Sequence, residues 1–276
     1  MKKCLDYAAA VLAAVAVSVF LSCSPAHSKP AAGKDVKKAA PAAPSAAAKG
    51  RTVFDASHKE IFSPVKKGTL DYSGFHDMLK ASGAAVSVNK DKISTKALEG
   101  AGTYIIAGPS EDIGPDEIGA LNAFVNKGGN LLVLLHISSP VARLTESFGV
   151  VVSNFVVAEE TDNIGGQPQD FYITRFIPHP VTEGLKKIAV YGAWGLLAEG
   201  AAKEVAATSD NAWADLNRDR KRDEGEPVSR FGVLAAASYG AGKVVVVADD
   251  APFANKFLKE ADNTKLAGNI IKWFKE

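Results

Sequence analysis

Residues Gly102 to Pro140, GTYIIAGPSEDIGPDEIGALNAFVNKGGNLLVLLHISSP, decide the fold class. Tyr104-Ile105-Ile106-Ala107 is a short apolar run stopped by Gly108-Pro109, and Asn130-Leu131-Leu132-Val133-Leu134-Leu135 is a second, continuous rather than alternating. Continuous runs of this length are strands covered on both faces. Between them Pro115 suits a first helical position, Asp116 and Glu117 put acid where the helix dipole favours it, and Gly128-Gly129 follows the last turn. Ile118, Leu121, Phe124 and Val125 share one helical face. The stretch predicts a strand, a helix and a second strand joined by a right-handed crossover. Parallel sheets of that kind bind ligands at the carboxyl ends of their strands.

Upstream, Thr52 to Asp55 and Ala85 to Val88 read as strands. Leu70, Phe75, Met78 and Leu79 predict a helix within Leu70 to Ser82, and Ile93 to Leu98 a helical turn or two. Downstream, Val141 to Phe148 is a predicted helix ended by Gly149, and Val150 to Val152 the next strand. From Asn154 to about Arg230 the runs alternate between Gly, Pro and Asp breaks, which predicts an antiparallel insertion. The parallel theme resumes at Gly232 to Ala236 and Lys243 to Ala248, with a hairpin connection at Tyr239 to Gly242. Leu266, Ile270, Trp273 and Phe274 mark a closing amphipathic helix. The expectation is an α/β fold: a doubly wound, mostly parallel sheet with helices on both faces, the first strand central and the second at an edge.

The chain does not open on this domain. Lys2-Lys3 precede the apolar segment Tyr7 to Leu21, which ends in Ser22-Cys23. That is the pattern of a secretory leader, and a small residue before a Cys resembles the bacterial lipobox, whose Cys is lipidated. Cleavage near Ala26-His27-Ser28 and an uncleaved anchor are the alternatives. Residues 1–23 are thus read as a signal peptide, 24–50 as a disordered Ala/Pro/Lys tether and 51–276 as the folded domain, anchored by lipid in the bacterial envelope, at the periplasmic face of the outer membrane. The first 50 residues carry 7 of the 32 Lys and Arg and 2 of the 31 Asp and Glu, leaving 25 against 29, a net charge of −4, on the domain. An acidic domain argues against nucleic acid as a partner. Both cysteines, Cys4 and Cys23, precede the domain, so it holds no disulfide, thiolate metal site or cysteine nucleophile.

Polar residues recur where the predicted parallel strands end. Asp55 and His58 follow the first strand, Gly108 the third, His136 the fourth, and Asp249-Asp250 the most apolar strand of the chain. Such groups can converge on a ligand, or Asp55 can accept backbone N–H bonds while Asp249-Asp250 caps a helix starting near Ala251-Pro252. Ser138 stands where hydrolases of related architecture carry a nucleophile, but the Gly-x-Ser-x-Gly frame is missing, so it is read as a helix cap. His179, between two prolines, is read as a local hydrogen-bonding residue or a rim contact.

The string Asp215-Leu216-Asn217-Arg218-Asp219-Arg220-Lys221-Arg222-Asp223-Glu224-Gly225-Glu226 has calcium-loop spacing. Asp215, Asn217, Asp219, Asp223 and Glu226 supply side-chain oxygens and Lys221 its carbonyl. Arg220 stands where such loops carry Gly, and a solvated hairpin tip is the alternative.

Phe54-Asp55-Ala56-Ser57-His58, Ile106-Ala107-Gly108-Pro109, Asp116-Glu117-Ile118 with Phe124 to Gly129, His179 to Gly184 and Val246 to Asp250, in that order, resemble the class I glutamine amidotransferase-like superfamily. The likeness is nearest to its non-catalytic, unknown-function bacterial domains, related to ABC-transport auxiliary, intraflagellar-transport and trehalose-utilisation proteins. The resemblance implies a flavodoxin-like sheet. It carries over no catalytic residue, because the elbow Cys is missing. The expected function is a tethered, non-enzymatic module binding a small polar ligand, a sugar or a protein partner at Asp55, His58, Gly108, His136 and Asp249. The alternative is a hydrolase built on Asp55, His58, His136 and Asp249.

Overall fold

A computed structural model describes residues 50–276; the leader, the tether up to residue 49 and Cys23 lie outside the described residues. The chain first builds a parallel unit. Strands β1 (Arg51–Asp55), β2 (Val86–Asn89), β3 (Ala101–Ala107) and β4 (Asn130–Leu134) are linked through helices α1 (Ser73–Ala81) and α2 (Pro115–Asn126). β1 pairs in parallel with both β2 and β3, and β3 with β4. Every residue of β4 is buried, as its uninterrupted apolar run requires. The expected crossover of residues 102–140 is therefore present, with Pro115 at the first helical position. Ile93 to Leu98 forms hydrogen-bonded turns instead of a helix.

The rest of the chain departs from the expected plan. Helix α3 (Ala142–Glu146) leads to β5 (Val150–Ala158), and β6 (Asn163–Ile164), β7 (Gln167–Ile173) and β9 (Ile188–Tyr191) make a separate three-stranded antiparallel sheet. Between β7 and β9 lies the short β8 (Arg175–Phe176). Then follow β10 (Trp194–Ala198), β11 (Ala202–Ala207), β12 (Trp213–Asp215), β13 (Gly232–Tyr239), β14 (Gly242–Val247) and the last helix α4 (Asn263–Trp273). The main sheet has 11 strands, in the order β12-β5-β10-β13-β14-β4-β3-β1-β2, with β11 paired to β13 and β8 to β11.

Only β14 continues the parallel pairing, beside β4; β13 runs antiparallel to it, because the Gly240-Ala241 turn can only reverse the chain. β5 and β10 are antiparallel as well. Most of the expected insertion thus forms the antiparallel half of the sheet rather than an appendage. The reason lies in the sequence: Val156 to Ala158, Val205 to Ala207 and Gly232 to Ala237 are apolar enough to be covered. β2 is at an edge as expected, whereas β1 is next to it and not central. The described helices number four, fewer than a sheet of this size covered on both faces would carry.

Two glycines test the packing. A Cβ on Gly242 would stand 2.1 Å from the Gly129 carbonyl oxygen and 2.3 Å from that of Val125, while one on Gly119, on the exposed side of α2, meets nothing within 4 Å. Gly119→Ala is expected to stabilise by about 0.5–1 kcal/mol through helix propensity. Gly242→Ala is expected to cost about 1–3 kcal/mol, since α2 must move off β14. Urea unfolding of both variants checks the opposite signs.

Candidate functional site

The register of the parallel strands brings their carboxyl ends level: Ala107 lies opposite Leu134, and Leu134 opposite Val247. Beyond them Gly108, His136 and Asp249-Asp250 emerge together. Gly108 has φ +62, and a Cβ there would lie 3.0 Å from Asp250 Oδ2 and 3.2 Å from His136 Cβ. Glycine is favoured on both counts.

The five expected residues divide between two clusters. In the first, Asp55 Oδ1 accepts from the hydroxyls of Tyr104 at 2.7 Å and Ser57 at 2.8 Å. Its Oδ2 meets His58 Nδ1 at 2.6 Å, and His58 Nε2 stands 3.3 Å from Glu117 Oε1. Glu117 also accepts from the backbone N–H groups of Ile93 and Gly114, at 2.9 and 3.0 Å. The chain Asp55–His58–Glu117 therefore ties the end of β1 to the start of α2 and to the Ile93 turn. Burial opposes a charged His58, but the hydrogen bond and attraction of Asp55, then of Glu117, outweigh it and raise its pKa to about 9. The imidazolium donates both N–H groups. Glu60 hangs beside this chain, its Oε1 buried without a partner. Burial, then the hydrogen bond and charge of Asp55, push its pKa to about 8. A protonated Glu60 that donates toward Asp55 satisfies that oxygen. Ligand atoms of Asp55, His58 and Glu60 lie within 4.8 Å of one another. Their lone pairs and protons are already engaged internally, so they make a clasp rather than an open metal site.

In the second cluster, Asp250 stands between two partners: His136 Nδ1 lies 3.2 Å from Oδ1, and the Tyr72 hydroxyl donates to Oδ2 at 2.6 Å. The hydrogen bond to Asp250 raises the His136 pKa, against partial burial. Phe62 sets its ring edge against both His136 and Tyr72, at centroid distances of 5.3 and 6.1 Å. Asp249 points the other way and accepts from the N–H groups of Tyr191 and Ala251, at 2.6 and 3.0 Å, the second at the start of the 3-10 turn Ala251–Phe253. Burial and the neighbouring Asp250 push its pKa to about 8. Asp55, His58 and Asp249 are 3%, 4% and 4% exposed, whereas the His136 side chain is 38% exposed. A molecule arriving at this edge meets His136.

Elsewhere, Ser138 occupies a cap position without a side-chain cap bond, unlike the expected cap, and His179 accepts from Val181 N–H at 3.2 Å. Asp215 is fully buried at the end of β12, and Glu226 accepts from the N–H groups of Leu216 and Asp223, at 2.9 and 3.0 Å. Sequence reasoning missed Tyr72, Glu60 and Phe62, which belong to segments without a motif, and read Tyr104 only as the start of a buried strand, not as a donor to Asp55. Glu117 was legible as a favourable first-turn acid and as part of the family resemblance, but not as a partner of His58.

The model of the family described as "Domain of unknown function (DUF4350)" matches residues 67–271, and the chain belongs to that family. The intraflagellar transport protein 52 homolog of Mus musculus is 22% identical over 248 residues, 80% of this chain and 54% of its own length. The chain thus spans about half the length of that relative. The solved "mmIFT52 N-terminal domain" superposes with a TM-score of 0.67 at 21% identity, covering 82% of this chain and 97% of that one. The cytoplasmic protein STM1381 of Salmonella typhimurium LT2 superposes with a TM-score of 0.54 at 15% identity, covering 82% and 100%. At such identities the likeness to solved structures shows the fold.

Stability should fall as pH rises. His58, Glu60 and Asp249 all have folded pKa values above their ordinary ones, near 9, 8 and 8. Each contributes stability that is complete below its unfolded pKa and gone above its folded one. Asp55, held low, acts oppositely, but only on the acid side of its ordinary value of 3.8. The melting temperature should therefore be higher at pH 6 than at pH 9. His58→Gln should lower stability at pH 6 and flatten the fall from the ordinary histidine pKa of 6.5 up to about 9. Thermal melts across pH check both.

Proposed function

We propose that the domain is a protein-interaction module that docks its partner at the carboxyl edge of the parallel strands and performs no chemistry there. One observation carries this reading. The loop between β1 and α1 lies over that edge, bonded through Ile61 N–H to the Gly108 carbonyl at 3.1 Å, and holds Phe62 against His136. Around it Ile61, Val65 and Leu70 are 44%, 60% and 39% exposed. An open imidazole beside Phe62, under a loop that also exposes apolar side chains, fits a protein segment better than a sugar or a small polar ligand. The buried acids beneath supply shape and rigidity. The likeness to a relative named for transport, not for a reaction, supports a binding role.

The alternative, a hydrolase, retains one favourable feature: Asp250 orients a partly exposed His136 at 3.2 Å, as a general base requires. We also read the parallel half as flavodoxin-like and related to the amidotransferase-like domains. β1 to β2 and β3 to β4 step in opposite directions along the sheet, so right-handed crossovers put α1 and α2 on opposite faces.

A photo-crosslinking residue at Val65, installed in the full chain in cells, should capture a partner of one defined mass, and the same residue at Glu99 should capture none. Ile61→Asp should abolish capture, and His136→Ala should weaken it. Hydrolysis of a substrate panel that depends on His136 and Asp250, or equal capture from both positions, would overturn the reading. The envelope address rests on the leader pattern and Cys23. Cys23→Ala should release the protein from membranes, checked by fractionation and by the lipid mass on the N-terminal fragment.

A further inference from the structure

We propose that the loop from Asp215 to Glu226 is a calcium site whose first ligand is the buried carboxylate of Asp215. This is independent of what docks at His136. Asp215 is 0% exposed, and its Oδ2 accepts from Gln169 Nε2 at 2.6 Å and from Arg220 N–H at 3.0 Å. Its Oδ1 is buried with no hydrogen-bond partner. Arg220 N–H, from the sixth position of the loop, donates to the other oxygen of that carboxylate, so Asp215 is tied to the segment that carries the other donors. A buried carboxylate oxygen left unpaired costs about 1–3 kcal/mol or more, and a cation removes that cost.

Three of the loop's four basic side chains are engaged away from it. Arg218 lies over the Trp194 ring at 5.4 Å, Arg220 Nη1 donates to Gln167 Oε1 at 2.9 Å, and Arg222 reaches Glu160 at 3.8 Å. Asn217, Asp219, Asp223, the Lys221 carbonyl and Glu226 are the other oxygen donors of the loop, a set that suits a hard cation once they turn toward it. Arg220 has φ 64, the left-handed conformation needed where such loops carry Gly. Glu226 now holds the N–H groups of Leu216 and Asp223, and Asn217 Nδ2 donates to Asp223 Oδ2 at 2.8 Å. These exposed bonds give way when the oxygens turn to the ion. The need to break them, with four basic residues nearby, keeps the affinity in the range of extracellular modules, about 10⁻⁴–10⁻³ M.

Trp213 supplies the readout. It lies two residues before Asp215 on the same face of β12, close enough to sensitise bound terbium. Full-length protein in terbium should emit on tryptophan excitation, and millimolar calcium should quench the emission far better than magnesium. Calcium at about ten times its Kd should raise the melting temperature by about 3–6 °C. Because Asp215→Asn disturbs a buried group, the decisive variants are the exposed Asp219→Ala and Glu226→Gln, each expected to weaken binding at least about ten-fold. Asp210→Ala should leave it unchanged. Absence of sensitised emission, emission indifferent to both variants in folded protein, or equal competition by magnesium would overturn the assignment.

Discussion

Strand β14 is the member on which both halves of the molecule depend. Val244 to Val247 pair in parallel with Leu131 to Leu134 on one side and antiparallel with Leu234 to Ala237 on the other, and all four valines are buried. Each fully buried valine contributes about 1.5–3 kcal/mol. Both faces of the strand are covered, so its register is set by the packing of each valine and by the short Gly240-Ala241 turn that joins it to β13. That register delivers Asp250 to His136, 114 residues away in sequence. The site is therefore a product of long-range pairing and forms only when the late strand docks between segments made earlier.

Buried charge is managed differently in the two clusters. Asp55 is ionised, since His58 and the Tyr104 and Ser57 hydroxyls compensate for its burial. Asp249 has only backbone donors and an acidic neighbour, and it keeps its proton to higher pH. A buried ion pair contributes little net stability, but removing one partner is expensive because the other charge is stranded. The Asp55–His58–Glu117 chain is thus a device for fixing geometry. It locks the loop that carries Phe62 and holds His136 in one orientation from the outside.

The parallel unit was legible because each of its elements carries an independent signal: the continuous runs at Tyr104 and Leu131, Pro115 at the helix start, Gly128-Gly129 at its end. The antiparallel character of residues 154–230 was legible from their alternating runs, but not their place in the main sheet, since periodicity reports burial and not which strands pair. Gly240-Ala241 did announce a reversal, and a reversal at β13 is incompatible with a parallel continuation there. The convergence of strand-end residues followed from topology alone. What topology does not encode is accessibility: the same rule that selected His136 selected Asp55, which Tyr104 and Ser57 cover. The choice between the neighbours Asp249 and Asp250 is likewise a matter of which way the chain turns after the strand.

Two of the edges of the main sheet, β2 and β12, connect this to the loop at Asp215. An open edge invites pairing with another chain, and short strands and charged residues are the usual deterrents. At one edge β2 is followed by the exposed Lys90, Asp91 and Lys92. At the other, β12 spans only Trp213–Asp215 and ends in a buried carboxylate. That inward charge discourages an added strand but weakens β12 itself, which is held by β5 and by the bridge from Trp213 to Val228. Gln169 and Arg220 satisfy one oxygen of Asp215 and leave the other. A cation in the loop would satisfy both and tighten the β12 hairpin while leaving the outer side of the edge charged. Stability and resistance to edge pairing, which conflict in the protein alone, would then be met by the same carboxylate.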